Sequence, residues 1–216
     1  MKRLRILAVV TLVCLLASSA FSQDEGYQWE KDYLEFTLFG AAGVPTGGIT
    51  DFGPNLNAQT GWSIGGDLGY FISYKVTMGL SFQYVRFGVD SDFDGQLKQH
   101  HHLFSPSVYA KYSFVGESNF EPYLTARAGL DFPKFSTDLG NRWRELSYDP
   151  VFAVGASAGL FYFTSDVSGL YLEAGYHHGF SKSTSGKHQD ISYTFGQNID
   201  VMDVRLGIRI LVGPGS

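Results

Sequence analysis

The segment that most constrains this chain is its last run of strict alternation. Val204, Leu206, Ile208, Ile210 and Val212 share one parity, and Asp203, Arg205, Gly207 and Arg209 share the other. A period of two is the geometry of a β-strand, whose successive side chains point to opposite faces. A sheet that packed the second parity against an ordinary core would bury three charges in apolar surroundings, at a cost of several kcal/mol each. The aliphatic parity is therefore expected to face lipid, and the charged parity to face the inside of a closed barrel.

The same division recurs upstream. Leu172, Ala174 and Tyr176 oppose Glu173, Gly175 and His177, and Leu124, Ala126, Ala128 and Leu130 oppose Thr125, Arg127, Gly129 and Asp131. Phe104, Val108, Ala110, Tyr112 and Phe114 oppose Ser105, Ser107, Tyr109, Lys111 and Ser113, and Met78, Leu80, Phe82 and Tyr84 oppose Thr77, Gly79, Ser81 and Gln83. Trp62, Ile64, Leu68, Tyr70 and Ile72 oppose Ser63, Gly65, Asp67 and Gly69, and Leu34, Phe36 and Leu38 oppose Glu35, Thr37 and Phe39. The glycine- and aromatic-rich run from Val151 to Phe163 is too short to span as a helix and completes a set of eight strands. Pro106, on the outward parity, lacks a ladder donor and predicts a bulge or a later strand start.

Connection lengths alternate as well. Links near residues 43–60, 88–101, 133–150 and 179–199 are long and rich in Gly, Ser, Asn, Asp and Pro, whereas those around 73–75, 115–119 and 165–169 are short. Long outer loops alternating with short periplasmic turns are the habit of bacterial outer-membrane barrels. Outward aromatics gather at strand ends, with Trp62, Tyr84, Phe104, Phe132, Phe152 and Tyr176 at the outer rim and Tyr70, Tyr112, Phe114 and Tyr162 at the inner. Such rings favour a membrane–water interface. A soluble lipocalin-like barrel is the rival architecture, but it would need aliphatics inside and would leave both the girdles and the loop alternation without a reason.

The amino terminus agrees with export. Lys2, Arg3 and Arg5 precede an apolar run from Ile6 to Ala17, with Ala20 and Ser22 placed for cleavage before Gln23. Cys14 does not read as a lipidation site, because Val13 precedes it and Leu15 and Leu16 continue the apolar run. The expected organisation is a signal peptide over 1–22, a short periplasmic segment over 23–32, the barrel over 33–212 and a tail over 213–216. Cleavage removes the one cysteine, so neither disulfides nor a thiol nucleophile are expected. It also shifts the net charge from −5 to −8, which disfavours nucleic acid as a partner.

The pattern resembles the eight-stranded outer-membrane barrel superfamily, which includes the barrel domain of outer-membrane protein A, outer-membrane protein X and the opacity-type surface proteins. The resemblance covers about residues 33–212 and implies an all-β, antiparallel, up-and-down transmembrane barrel. Its implied partners are outer-membrane lipid, lipopolysaccharide and the barrel-insertion machinery. Members usually end the last strand in an aromatic residue read by that machinery, whereas this chain ends Val212-Gly213-Pro214-Gly215-Ser216. No peptidoglycan-binding pattern follows the last strand, so cell-wall anchoring is not expected.

An eight-stranded barrel has an interior only wide enough for side chains to fill. Glu35, Asp67, Asp131, Glu173 and Asp203 are expected to meet Lys111, Arg127, Arg205 and Arg209 there as an ion-pair network without a large pore. The leading expectation is a non-enzymatic barrel, without cofactor, that presents its long outer loops for envelope integrity, adhesion or recognition, the loop partner being undetermined. One alternative is a lipid-modifying enzyme, and a narrow channel through the network is a third.

Several local patterns invite chemistry. Some barrels resembling this one are lipid A deacylases with a histidine and a serine near the outer rim, separated by one residue, with asparagine following the serine. Here His178 and Ser181 are separated by two residues, Lys182 follows, and Glu173 is predicted to face inward. Gly155-Ala156-Ser157-Ala158-Gly159 matches G-x-S-x-G, but no helix pattern follows, so Ser157 is expected mid-strand on the inner face. Asp90, Asp92 and Asp94 open like a calcium loop, yet Lys98 and His101 stand where later ligands belong, and a solvated loop is expected. His100, His101 and His102 cannot converge on a metal from one strand, because neighbours face opposite sides. Arg86, outward above Tyr84, is expected to contact lipid phosphate.

Overall fold

The computed structural model describes residues 33–46, 57–90, 98–115, 118–138, 143–180, 184–188, 191–195 and 198–213. The expected signal peptide and periplasmic segment lie outside the described residues, as do Asp92, Asp94, Ser181 and the side chain of Asp90. Among the described residues eleven strands follow in order: β1 Leu34–Pro45, β2 Asn57–Ser73, β3 Val76–Asp90, β4 Lys98–Ser113, β5 Phe120–Asp138, β6 Trp143–Ser147, β7 Val151–Ser165, β8 Ser168–Gly179, β9 Thr184–His188, β10 Ile191–Phe195 and β11 Ile199–Val212.

Eight of them close a barrel in the circular order β1, β2, β3, β4, β5, β7, β8, β11, every pair antiparallel. Closure is complete because all twelve residues of β1 pair with β11, from Leu34 opposite Val212 to Pro45 opposite Val201. No edge of the spanning sheet is left unpaired, which is what a sheet in lipid requires. At the short-turn end Tyr74 and Lys75 join β2 to β3, and Asp166 and Val167 join β7 to β8. At the other end the strands run further than the alternation alone indicates. β6 pairs with the end of β5, opposing Trp143 to Asp138, and β9 and β10 form a separate hairpin. The long outer links thus hold strand of their own.

The two parities separate as their chemistry demands. Leu38 and Leu206 are 65% and 64% exposed on the outer wall, while Arg209 is 2% exposed inside. A soluble barrel would show the reverse, so the outer wall faces lipid and the lipocalin-like alternative is excluded. Aromatic pairs make up the rims. Phe104 and Phe132, cross-strand partners, have ring centroids 6.3 Å apart, and Trp62 meets Tyr84 edge-on at 6.0 Å near the long-link end. Phe120 and Tyr162 lie 4.9 Å apart near the short turns.

Pro106 corrects an expectation. β4 runs through it, opposing Pro106 to Phe82 on β3. The ladder to β5 lapses between Phe104 and Ser107 but resumes in the same register, so there is neither a bulge nor a late start. The irregularities lie elsewhere, between Ala58 and Gly61 and between Phe71 and Ser73 on β2, and between Phe163 and Ser165 on β7. Inside, small residues admit large ones: the rings of Tyr123 and Phe39 occupy the space a Cβ would take at Gly159 and at Gly65.

Candidate functional site

The interior is stacked in storeys. Nearest the short turns, Phe71 and Leu211 pack with Tyr33, Val115 and Phe163 as an apolar floor. Above them Glu35 and Glu121 share Arg209, whose Nε lies 2.9 Å from Glu35 and whose Nη1 donates to Glu121 at 2.7 Å. Lys111 also donates to Glu35, as does the Tyr109 hydroxyl, and Ser113 donates to Glu121. The Arg209 guanidinium lies 4.5 Å from the Phe161 ring centroid. Phe161 belongs to an aromatic cluster with Phe39, Tyr123 and Tyr171.

A second charged storey follows. Arg127 approaches Glu173 at 3.1 Å and Asp67 at 3.9 Å, and it donates to Ser157 at 2.8 Å. Arg205 meets Glu173 at 3.2 Å and Asp203 at 2.8 Å. Gln83 links this storey by accepting from Arg205 and donating to Asp203 and Ser63. Higher still, Asp131 accepts from Ser105 at 2.7 Å and lies 2.6 Å from the His177 Nε2. Ala58, Val85, Phe87, Leu103, Ile199 and Val201 close the stack with an apolar ceiling.

All nine charges expected in the interior are there; eight are in ion pairs with one another or with Glu121, and Asp131 instead meets Ser105 and the His177 ring. The sequence reading omitted a tenth, Glu121, because it began the strand at Leu124 when β5 starts at Phe120. The parity of Thr125 and Arg127, extended back two steps, reaches it. It also gave no network role to Gln83, Tyr109 or His177, which lie on the correct parity. Ser157 is buried mid-strand as expected and accepts a hydrogen bond from Arg127, which accounts for it without a nucleophile.

At the long-link rim, His101 turns inward against Phe135, while His102 turns outward, so the three histidines do not converge. Among the described residues no group of three His, Cys, Asp or Glu side chains suits a metal. The His102 ring is pinned on both nitrogens, Nδ1 lying 2.5 Å from the Tyr84 hydroxyl and Nε2 2.7 Å from Ser136 Oγ. Glu173 faces inward, as expected. His178 has another carboxylate instead: its Nδ1 lies 2.5 Å from Asp200 of β11, its cross-strand neighbour, and the Tyr176 hydroxyl donates to the same oxygen at 2.8 Å.

No family model and no curated protein matches the chain. Among solved structures, a major outer membrane protein from Thermus thermophilus has a TM-score of 0.56 at 10% identity, covering 83% of this chain and 99% of that one. The outer membrane protein OprG from Pseudomonas aeruginosa has a TM-score of 0.54 at 13% identity, covering 88% and 99%. The outer membrane protein AlkL in lipid bilayers has a TM-score of 0.53 at 14% identity, covering 90% and 96%. The fold is that of the eight-stranded outer-membrane barrels. In an outer-membrane barrel the long links lie outside the cell and the short turns in the periplasm. His178, Asp200, His102 and Arg86 lie at the long-link end of the barrel, and Glu35 and Arg209 lie toward the short turns.

Proposed function

We propose that this protein is a non-enzymatic, non-conducting barrel of the outer membrane that presents its long outer links for structural, adhesive or recognition roles. The observation that carries the reading is the interior: two paired charged storeys between an apolar floor and an apolar ceiling. Water crossing this path would have to separate buried ion pairs and wet two apolar layers. The protein is thus built as a rigid plinth that carries the long links. Purified barrel in a planar bilayer is expected to give no stepwise current, and cells with or without it are expected to have the same lipid A by mass spectrometry. A steady conductance would overturn the reading.

One observation favours a second reading, an enzyme acting on outer-leaflet lipid. His178 is oriented through Nδ1 by Asp200 on the lipid-facing wall, the arrangement by which a carboxylate holds an imidazole ready as a base. Ser181, its candidate nucleophile, lies outside the described residues. The reading predicts a lost acyl chain on lipid A that is restored by either His178→Asn or Ser181→Ala. Unchanged lipid A removes it.

A further inference from the structure

Outward residues of four adjacent strands form a straight row at the outer rim. Trp62 of β2 opposes Arg86 of β3, Arg86 opposes His102 of β4, and His102 opposes Lys134 of β5. One step toward the membrane lies a second row, Ile64, Tyr84, Phe104 and Phe132. Three basic residues side by side thus stand directly above the aromatic girdle. Each sits four residues inside the outer end of its strand, so the strands carry on about 13 Å beyond the row.

Arg86 and Lys134 flank the His102 ring, each one strand away from it. All four interior Lys and Arg side chains are in ion pairs, whereas among the described residues neither Arg86 nor Lys134 is in one. Glu145 of β6, opposite Ser136, is the acidic neighbour of the His102 ring. That ring is clamped by Tyr84 and Ser136, so it holds the middle of the row rigid and leaves Arg86 and Lys134 to reach outward.

We propose that Arg86 and Lys134, braced by His102, bind the phosphate of a phosphorylated glycolipid in the outer leaflet. Their Cα atoms lie two strand spacings apart, about 10 Å, a span over which an arginine fork and a lysine ammonium converge on one phosphate group. The lipid source follows from continuity: an anion bound here rests on Tyr84, Phe104 and Phe132, whose faces suit the sugar and acyl parts that accompany a lipid phosphate. The inference depends on the membrane-spanning fold and not on the display reading.

The test is native mass spectrometry of the full barrel in zwitterionic detergent, with bisphosphorylated lipid A, the same lipid A stripped of phosphate, and inorganic phosphate as separate probes. Bisphosphorylated lipid A is expected to be retained, and R86Q/K134Q is expected to lower retention about tenfold, near 1.4 kcal/mol. R86K/K134R is expected to keep most of it, and Lys75→Gln, at the opposite end of the barrel, all of it. Heat-modifiable migration checks that each variant folds, and Lys134→Gln alone, at an exposed position, serves if the double variant does not. Equal retention of phosphate-free lipid A, equal affinity for inorganic phosphate, or wild-type retention by the glutamine variants would overturn the proposal.

Discussion

At the scale of single residues, Arg209 has the most depending on it. It joins Glu35 on the first strand to Glu121 on the fifth and is 2% exposed. Removing one member of a buried pair leaves an uncompensated charge, so Arg209→Leu is expected to destabilise the barrel by about 3–5 kcal/mol. Urea unfolding in lipid vesicles, read by gel migration, measures this. Gly159 makes the opposite kind of demand. A Cβ there would meet the Tyr123 ring, so Gly159→Val is expected to cost about 1–3 kcal/mol through overpacking. Adding Tyr123→Ala should recover part of that loss if the clash is the cause, and the double variant measures the coupling directly.

At the scale of elements, the seam and the lipid face can each be tested. Leu38 and Ile208 oppose one another on the outer wall. Cysteines at both positions are expected to oxidise to a disulfide in the folded barrel, visible as altered migration without reductant, because cross-strand Cα spacings suit the bond. Leu206→Arg places a cation in mid-strand toward lipid and is expected to cost about 2–4 kcal/mol in the same vesicle assay. The eight spanning strands were legible from Val204 to Val212 backward because lipid and interior impose opposite chemistries on adjacent residues. Their outer ends were not. Beyond the membrane neither face is forced to be apolar, so the start of β2 at Asn57 and the pairing of Trp143 with Asp138 left no period to read. For the same reason the inward charges could be named in advance but not His178 with Asp200. That pair depends on register between strands whose positions are 22 residues apart in sequence, and alternation within one strand carries no register.

At the scale of the whole molecule, the polar interior is a set of long-range ties. Lys111 reaches back 76 residues to Glu35, Arg209 reaches back 88 to Glu121, and Gln83 joins Asp203 across 120. A chain stopped before β11 would leave Glu121 without Arg209 and would leave β1 and β8 as two unpaired sheet edges. Partial insertion therefore has no resting place. The seam between the first and last strands is thus the one joint on which the whole enclosure depends, and a chain lacking β11 is expected to show no heat-modifiable migration.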